Sequence, residues 1–315
     1  MAPASYECTR VLRGHVGPVI AVRFNDKGTY CMSCGNDRTI KLWNPHRDGL
    51  EGPESAFLVK SYTGLHGYEV RDVAIEHDNA KFVSCGRDKA IFQWDVATGK
   101  VVRKLDGHSH SVNAVEYNDD CSVVASASYD STVRLWDMRS RNSFAPIQVL
   151  DHFKDSVTSV KMTDHEIITG CVDGYVRCYD LRAGLLTQDN LHSPVVSLQL
   201  SSDLNCIVVS TLAKRVVLFE AASGTELNAF EGHALSSYGV ECGFTFDDAH
   251  IISGSEDGRV LVWDMLHATD ASRSFLAHAA NKPVRSVVSH PTEDMLLTAS
   301  IDSTVKVWRR SPSLY

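Results

Sequence analysis

Short hydrophobic runs separated by polar turn formers fill the chain from end to end. In residues 107–137, such runs stand at Ser111–Tyr117, Ser122–Ala127 and Thr132–Trp136, and Val101–Leu105 precedes them. Clusters of Asn, Asp and Ser lie between the runs, which is typical of tight turns joining antiparallel strands. The pattern predicts a four-stranded antiparallel sheet as the local unit of the fold.

This unit recurs seven times with four fixed residue types, which together form a tetrad. A His opens each unit, a Ser or Thr lies in the second strand, an Asp lies in the following turn, and an aromatic residue ends the third strand. The Asp stands six residues before the aromatic residue, and the Ser or Thr four residues before the Asp. The six complete tetrads are His15, Ser33, Asp37 and Trp43; His66, Ser84, Asp88 and Trp94; His108, Ser126, Asp130 and Trp136; His152, Thr169, Asp173 and Tyr179; His233, Ser253, Asp257 and Trp263; and His278, Thr298, Asp302 and Trp308.

Seven such units are typical of WD-repeat proteins, and they predict an all-β, seven-bladed WD40 β-propeller. The last unit has only three strands, and residues 6–12 look like the missing fourth. We therefore expect the N-terminal strand to complete the last blade, which removes the open edges of the array. One propeller then occupies residues 1–315, with blades at about 17–62, 68–105, 110–150, 155–188, 194–230, 236–276 and 282–310 plus strand 6–12.

The composition of the tetrad has a physical explanation. The Asp can accept a hydrogen bond from one imidazole nitrogen, and the Ser or Thr hydroxyl can face the other and accept the indole N–H, so no buried polar atom is left without a partner. A Ser–His–Asp set can also form a hydrolytic active site. An active site needs one such set, whereas here it is repeated in nearly every unit. We therefore interpret the tetrads as structural and predict no catalytic residue.

The fifth unit departs from the pattern, because Val209, Ala213 and Phe219 replace the Ser or Thr, the Asp and the Trp. We expect apolar packing to compensate and His192 to find another partner or face water.

Composition narrows the class of function. The net charge of −8 and the absence of clustered Lys and Arg argue against nucleic-acid binding. No apolar run has membrane-spanning length, and residues 1–10 do not resemble a signal peptide.

Nine cysteines, an odd number, suit a reducing compartment. Cys31 and Cys34 have the spacing of a metal or redox motif, but residues three apart in a strand point to opposite faces, so buried thiols are favoured. We expect a soluble intracellular protein with no cofactor, metal or small-molecule substrate.

The connection from Trp43 to His66 spans 23 residues, against 13 to 16 at the other junctions. Its segment 45–55 is polar and rich in turn formers. We predict a mobile surface loop there, with a partner-binding feature as the alternative.

Several stretches resemble one family more closely than the general repeat does. They are Ala21–Asn25, Tyr30-Cys31, Ser33–Gly35, Ile40–Pro45, Gly67–Val70, Val101–Lys104, Asp164–Ile167, Val172–Arg177 and Tyr179–Arg182. These stretches are similar to the family of the mitogen-activated protein kinase organizer, a WD-repeat scaffold associated with spliceosomes. The resemblance implies kinase-cascade components and spliceosomal proteins as partners, in both cytoplasm and nucleus. Ala213 and the longer segment 45–55 depart from that family and put in doubt any partner that contacts them.

Related propellers often bind partners near the start of the first strand and in the turn before the tetrad Asp. That implies a candidate partner-binding set of exposed aromatic and charged residues: Tyr68, Glu69, Arg87, His110, Tyr129, Lys154, Tyr238 and Glu256.

Two alternatives remain open. Residues 123–139 resemble the box by which some WD proteins dock to cullin–RING ubiquitin ligases, with Arg139 as the possible adaptor contact. Propeller enzymes gather carboxylates or a metal in the central channel, and no such cluster can be read from this sequence.

Overall fold

The β-branched and apolar runs form 28 strands in a computed structural model, which describes residues 6–49, 52–140, 144–235, 239–267 and 273–310. Within these residues there is no helix, and so none that could cross a membrane. The strands are β1 (Tyr6–Leu12), β2 (Val19–Phe24), β3 (Cys31–Gly35), β4 (Ile40–Gly49), β5 (Gly52–Tyr62), β6 (Val70–Ile75), β7 (Lys81–Gly86), β8 (Ala90–Asp95), β9 (Val101–Asp106), β10 (Val112–Tyr117), β11 (Val123–Ser128), β12 (Val133–Asp137), β13 (Gln148–Leu150), β14 (Val157–Met162), β15 (Glu166–Cys171), β16 (Tyr175–Asp180), β17 (Leu185–Asn190), β18 (Val195–Leu200), β19 (Cys206–Thr211), β20 (Arg215–Glu220), β21 (Glu226–Glu231), β22 (Cys242–Phe244), β23 (His250–Gly254), β24 (Arg259–Asp264), β25 (Arg273–Leu276), β26 (Val284–Ser289), β27 (Met295–Ser300) and β28 (Val305–Arg310).

The strands pair in sequence order into antiparallel blades. Blades two to six are separate four-stranded sheets, such as β10-β11-β12-β13. The first strand of each blade packs against the first strand of the next, and β26 packs back onto β2. The blades therefore form a closed ring, and the prediction of an all-β, seven-bladed propeller is confirmed.

Ring closure depends on the N-terminal strand, as predicted. β1 pairs antiparallel with β28 and completes blade seven. It also pairs with β5 of blade one, where Val11 lies opposite Ser55. Blades seven and one thus share one eight-stranded sheet, β2-β3-β4-β5-β1-β28-β27-β26.

The segment between Trp43 and His66 is not a surface loop, and the prediction of a mobile loop over residues 45–55 was wrong. β4 and β5 extend outward as a hairpin, with Asp48 opposite Ala56 and residues 50–51 outside the described part. The hairpin is held from the N-terminal strand, because the Arg10 guanidinium lies 2.9 Å from the Asp48 carboxylate. Turn-forming residues here lengthen a strand pair because β1 offers it an edge to pair with.

The hydrophobic core lies between the blades. Seven clusters of buried residues each join the second and third strands of one blade to the facing strands of the next. The cluster between blades one and two, for example, contains Met32, Ile40 and Tyr62 from one and Phe82 and Trp94 from the other. Each sheet buries both faces in this way, which explains strands with continuous apolar runs.

The turn before the third strand has the same backbone in all seven blades. The residue after the tetrad Asp, or after Ala213, has a positive φ between 60° and 90°. Glycine adopts this conformation without strain at positions 174 and 258. In several blades the Asp carboxylate also stabilises the turn, as when Asp37 accepts the N–H of Thr39 at 3.1 Å.

The predicted tetrad network forms in blades one, two, three and seven. In blade three, His108 Nδ1 lies 2.8 Å from Asp130 and Nε2 lies 2.8 Å from the Ser126 hydroxyl. The same hydroxyl accepts the Trp136 indole N–H at 2.9 Å. Corresponding distances in the tetrads of His15, His66 and His278 all lie between 2.7 and 2.9 Å.

Blade four was predicted to contain a complete tetrad, and this was wrong. His152 is exposed, and the Arg177 guanidinium binds the Asp173 carboxylate with two hydrogen bonds of 3.1 and 2.8 Å. Phe153, the residue after His152, is buried near Tyr179 and lies 5.1 Å from Arg177. Arg177 is only 2 % exposed. In this blade the buried partner of the Asp173 carboxylate is therefore a guanidinium and not an imidazole.

The tetrad of blade six is likewise not formed. His233 is 2 % exposed, yet neither of its ring nitrogens has a hydrogen-bond partner among the described residues. Burial and the charge of Lys214 lower its pKa. Asp257 instead accepts the N–H of Arg259 at 3.0 Å, and the Trp263 indole donates to the Glu231 carbonyl. Ser253 donates to the Gly254 carbonyl.

In blade five His192 is exposed, which is one of the two outcomes expected for it. Phe219, Val217 and Val209 are buried in the cluster between blades four and five. Ser193 provides a partial substitute for the missing Asp, because its hydroxyl accepts the N–H of Ala213 at 3.0 Å.

A sequence signal separates the blades with the network from those without it. Where the network forms, the residue two positions after the Asp is small: Thr39, Ala90, Thr132 or Thr304. Each of these threonines also lies within 3.4 Å of the His Nδ1. Where it does not form, that residue is the bulky Tyr175, Arg215 or Arg259. The threonine hydroxyls add a contact to the His–Asp pair, and in blade four Arg177 takes the place of the imidazole as the partner of Asp173.

Cys31 and Cys34 are buried, unbonded thiols in β3. Burial raises the pKa of each well above its usual value. Both are therefore protonated at neutral pH.

We predict that the His–Asp hydrogen bond stabilises blade three. Asp130→Asn should lower the free energy of unfolding by about 1–3 kcal/mol at neutral pH, because it weakens a buried, charge-assisted bond. The matched control is Asp257→Asn, whose carboxylate is 42 % exposed and does not contact His233, and which should change stability by less than about 0.5 kcal/mol. Urea denaturation measures both variants, and equal losses would contradict the prediction.

The same pair predicts a pH dependence. Burial opposes ionisation of Asp130, but the hydrogen bonds from His108, Thr132 and the Ser109 N–H, together with the charge of His108, outweigh it and lower the pKa of Asp130 below its usual value. A lowered folded-state pKa stabilises the protein above the unfolded pKa of about 4, and this stability is lost as the pH falls further. The difference between wild type and Asp130→Asn should shrink between about pH 4 and pH 2. A difference independent of pH would contradict this.

We predict that closure by β1 stabilises the whole ring. Leu12 is 1 % exposed in the cluster between blades seven and one, so Leu12→Ala should cost about 2–5 kcal/mol. Val16→Ala is the control, since Val16 is 85 % exposed. Deleting residues 1–12 should cost more, and an unchanged melting temperature after truncation would overturn the prediction.

Hydrogen exchange should be faster in blade five than in blade three. The amides of β19 and β20 lack a tetrad network to hold the turn between them, whereas β11 and β12 have one. Exchange measured by mass spectrometry on peptides from these strand pairs tests this, and equal protection would contradict it.

Candidate protein-interaction site

An axial channel of about 930 Å³ runs through the ring, and the first strands of all seven blades line it. Many of its polar side chains come from positions two and five of these strands, which are partly exposed while positions one, three and four are buried. Both can face the channel because a register shift between positions one and three interrupts the strict alternation of the strand. These side chains include Arg71, Asn113 and Arg285 at position two and Arg23, Glu116 and Lys161 at position five.

A charged cluster in the channel joins blades that are not neighbours in sequence. Arg23 binds Glu241 with two hydrogen bonds of 2.9 and 2.7 Å and lies 2.8 Å from Asp72. Ser286 donates a further hydrogen bond to Glu241, and Lys161 pairs with Glu116 at 3.0 Å. The contacts of Arg23 and Glu241 connect blades one, two, six and seven. The Lys161–Glu116 pair separately connects blade four with blade three.

Sequence analysis did not detect this cluster, because its carboxylates are far apart in the chain. Each carboxylate has a cation within contact distance, and burial raises the pKa of Asp72 to about 6 although Arg23 opposes this. Among the described residues, no group of three or more His, Cys, Asp or Glu side chains could hold a metal ion. The arrangement resembles a structural ion-pair cluster.

One end of the channel is ringed by the seven turns that precede the third strands. In each blade, the residue just before the tetrad Asp, or before Ala213, donates its N–H to a backbone carbonyl in the segment that precedes the first strand of the same blade. We name these residues the mouth ring: Asn36, Arg87, Tyr129, Val172, Leu212, Glu256 and Ile301.

Those predicted partner-binding residues that the structure describes lie on or beside this ring. Arg87, Tyr129 and Glu256 are members of it, and the Arg87 N–H donates to the Glu69 carbonyl at 3.1 Å. Tyr68 and Tyr129 are 60 % and 57 % exposed. These side chains therefore share one face of the molecule.

His110, Tyr129 and Lys154 come from adjacent blades. The rings of His110 and Tyr129 are edge-on with centroids 5.7 Å apart, and both are exposed. Lys154 is exposed, and its N–H donates to Asp173 at 3.1 Å. Tyr is among the residue types that binding hot spots are enriched in.

The remaining candidates differ in their settings. Glu69 is only partly exposed and pairs with Arg71 at 3.0 Å. Glu256 is partly buried. Tyr238 lies outside the described residues. Arg139 is 74 % exposed and pairs with Asp137 at 3.2 Å, at the end of β12.

The mouth ring also contains residues that sequence analysis missed. Val172, Leu212 and Ile301 line the channel end, and Leu212 is 38 % exposed. They were overlooked because only aromatic and charged side chains were considered. The position just before the tetrad Asp would have identified them.

Comparisons with known proteins agree with this architecture. The family model described as WD domain, G-beta repeat matches residues 6–44, 224–264 and 270–309. The model described as Nucleolar protein 10-like, N-terminal domain matches residues 67–240, just over half of the chain, and places it among the propeller domains of that description.

Relatives match along nearly the whole chain. WD repeat domain-containing protein 83 of Homo sapiens is 43 % identical over 93 % of this chain and 89 % of its own length. The Rattus norvegicus protein of the same name is 42 % identical with the same coverage. The homologue in Dictyostelium discoideum is 31 % identical over 96 % of this chain and 98 % of its own length. The chain therefore belongs to the WD-repeat propellers and, within them, to the family of WD repeat domain-containing protein 83.

Proposed function

We propose that this chain is a non-catalytic scaffold that binds proteins at the mouth ring. The observation that carries the proposal is the exposed set of Tyr68, Arg87, His110, Tyr129 and Lys154, which three successive blades hold on one rigid face. WD40 propellers typically bind proteins, and this chain matches the repeat. The paired carboxylates of the channel suit a structural role better than a reactive one.

The proposed partners are components of a mitogen-activated protein kinase cascade and proteins of the splicing machinery. The resemblance of stretches such as Ile40–Pro45 and Val172–Arg177 to the organizer family supports this. It also supports pools in both the cytoplasm and the nucleus. The net charge of −8 favours protein partners over direct nucleic-acid binding.

Affinity purification with mass spectrometry, from nuclear and cytosolic fractions separately, tests the proposal. The double variant Arg87→Ala with Tyr129→Ala should reduce partner recovery about ten-fold or more, because truncating anchors typically costs over 1 kcal/mol each. Leu204→Ala is the matched control, since Leu204 is 50 % exposed in a turn at the other end of the strands. Unchanged recovery with the double variant would overturn the proposed site. Recovery of spliceosomal proteins alone would argue against the kinase role, and recovery of kinases alone against the splicing role.

The second candidate function is substrate receptor of a cullin–RING ubiquitin ligase. The exposed Arg139 guanidinium, placed at a strand end by Asp137, favours it. Arg139→Ala should then remove the ligase adaptor from the purified material and leave the other partners. The absence of an adaptor in the wild-type material would exclude this function.

A further inference from the structure

A polar hollow of about 280 Å³ lies between blades four and five; its lining includes Thr211 and Ala213, the neighbours of Leu212, but no member of the mouth ring. Its walls come from the end of β17 with the segment that follows it, and from β20 with its adjoining turns. Asp189, His192 and Arg215 provide polar groups, while Phe219 and Val217 form a buried apolar floor.

Strand register shows that Asp189 occupies a core position. In every blade, one residue of the fourth strand pairs with the third-strand residue that lies three positions before the tetrad aromatic, or before Phe219. In blade four this pair is Asp189 with Val176. In the other six blades the corresponding residue is a large hydrophobic side chain that packs between blades: Leu12, Tyr62, Leu105, Leu150, Phe230 and Phe275.

The core between blades four and five reflects this exchange. Among the described residues, its cluster contains no member from β17, whereas the cluster between blades two and three contains Leu105. Burial raises the pKa of Asp189. An aspartate at this position removes apolar contact from the interface, so its presence needs an explanation other than packing.

The degenerate tetrad of blade five enlarges the same hollow. In blade two the His66 ring packs 4.8 Å from Phe92, at the position equivalent to Val217. His192 instead points to solvent, with a backbone φ of 54°, and Ala213 provides no carboxylate to hold the ring inward. The space of an imidazole is therefore open above Val217 and Phe219.

The Asp189 carboxylate has no hydrogen-bond donor or ion-pair partner within the part of the chain that the structure describes. It lies against the backbone of Gly224, where a Cβ would be 2.7 Å from its oxygen. The Arg215 guanidinium, the positive group that lines the hollow, forms ion pairs with the carboxylates of Glu226 at 3.0 Å and Glu231 at 4.0 Å. The hollow therefore keeps an excess of negative charge.

We propose that this hollow is a docking site for one basic side chain, Arg or Lys, of a partner protein. The Asp189 carboxylate accepts the charged head group, and Phe219 and Val217 contact the aliphatic stem. Basic side chains bury their methylene stems along apolar surface in this way. The volume is slightly below the range of about 300–1,000 Å³ that small-molecule pockets occupy, which favours a single side chain over a larger ligand.

The probe is the peptide acetyl-Ala-Arg-Ala-amide, titrated into the full-length protein. Methyl NMR signals of Leu191 and Val217 report on the hollow. We expect saturable shifts with a Kd in the millimolar range, because one side chain provides little contact area. Acetyl-Ala-Leu-Ala-amide and inorganic phosphate should not shift these signals.

Two variants of Asp189 separate binding from folding. Asp189→Asn keeps the shape and removes the charge, and it should weaken peptide binding about ten-fold or more. Asp189→Leu places the residue type of the other blades at this position, and it should abolish binding and raise the melting temperature. Asp151→Asn, an exposed carboxylate on the connection after β13, is the matched control and should bind like wild type.

Several results would overturn the proposal. They are an absence of shifts with wild type, equal binding of the neutral peptide, shifts caused by phosphate, or unchanged binding by Asp189→Asn. A lower melting temperature for Asp189→Leu would show instead that the carboxylate serves the fold. The hollow shares no residue with the mouth ring. A failed peptide-binding test would therefore leave the scaffold proposal unaffected, and a failed test of the mouth ring would leave the docking proposal unaffected.

Discussion

The packing of each sheet against its two neighbours is the interaction on which the structure depends. Without closure of the ring, blades one and seven would each leave one face exposed, and closure occurs where β1 enters between β28 and β5. This single strand completes blade seven, extends the sheet of blade one and carries Leu12 into the core between them. A propeller is otherwise a linear array with open edges, and here β1, near the start of the sequence, pairs with β28, near its end.

The polar networks divide the ring unequally. Blades seven, one, two and three are contiguous and have complete tetrads, while blades four, five and six are contiguous and lack them. The latter differ from one another: Arg177 pairs Asp173 in blade four, apolar packing fills most of blade five, and Asp257 of blade six keeps only the hydrogen bond to its own turn that Asp37 also makes. The same backbone turn persists in all seven, so the hydrogen-bonded tetrad stabilises the turn without being required for it.

Two surfaces follow from this division. The mouth ring results from the regular repeat, because seven equivalent turns each place the residue before the tetrad Asp, or before Ala213, around one end of the channel. The hollow beside Asp189 uses the irregular part, since it arises where an outward His192 and a missing core side chain meet. A rigid ring with distinct surfaces suits a protein that gathers partners, and neither surface requires the ring to change shape.

The sequence by itself determined the repeat, the number of blades, the strand order and the role of the N-terminal strand. These depend on local alternation and on turn residues at fixed spacing, which a linear pattern records. It predicted six complete tetrads, of which the structure forms four, and only the structure shows that those four blades share a small residue two positions after the Asp. It did not reveal that β4 and β5 continue as a hairpin, because an edge offered by β1 is not visible in residues 45–55. The pairing of Asp173 with Arg177, the channel cluster of Arg23 with Asp72 and Glu241, and the unpaired carboxylate of Asp189 were decided by tertiary structure alone. Packing decides which charged groups come within reach of one another: it supplies a partner for Asp173 and for Arg23, and it supplies none for Asp189, and separation along the chain does not predict this.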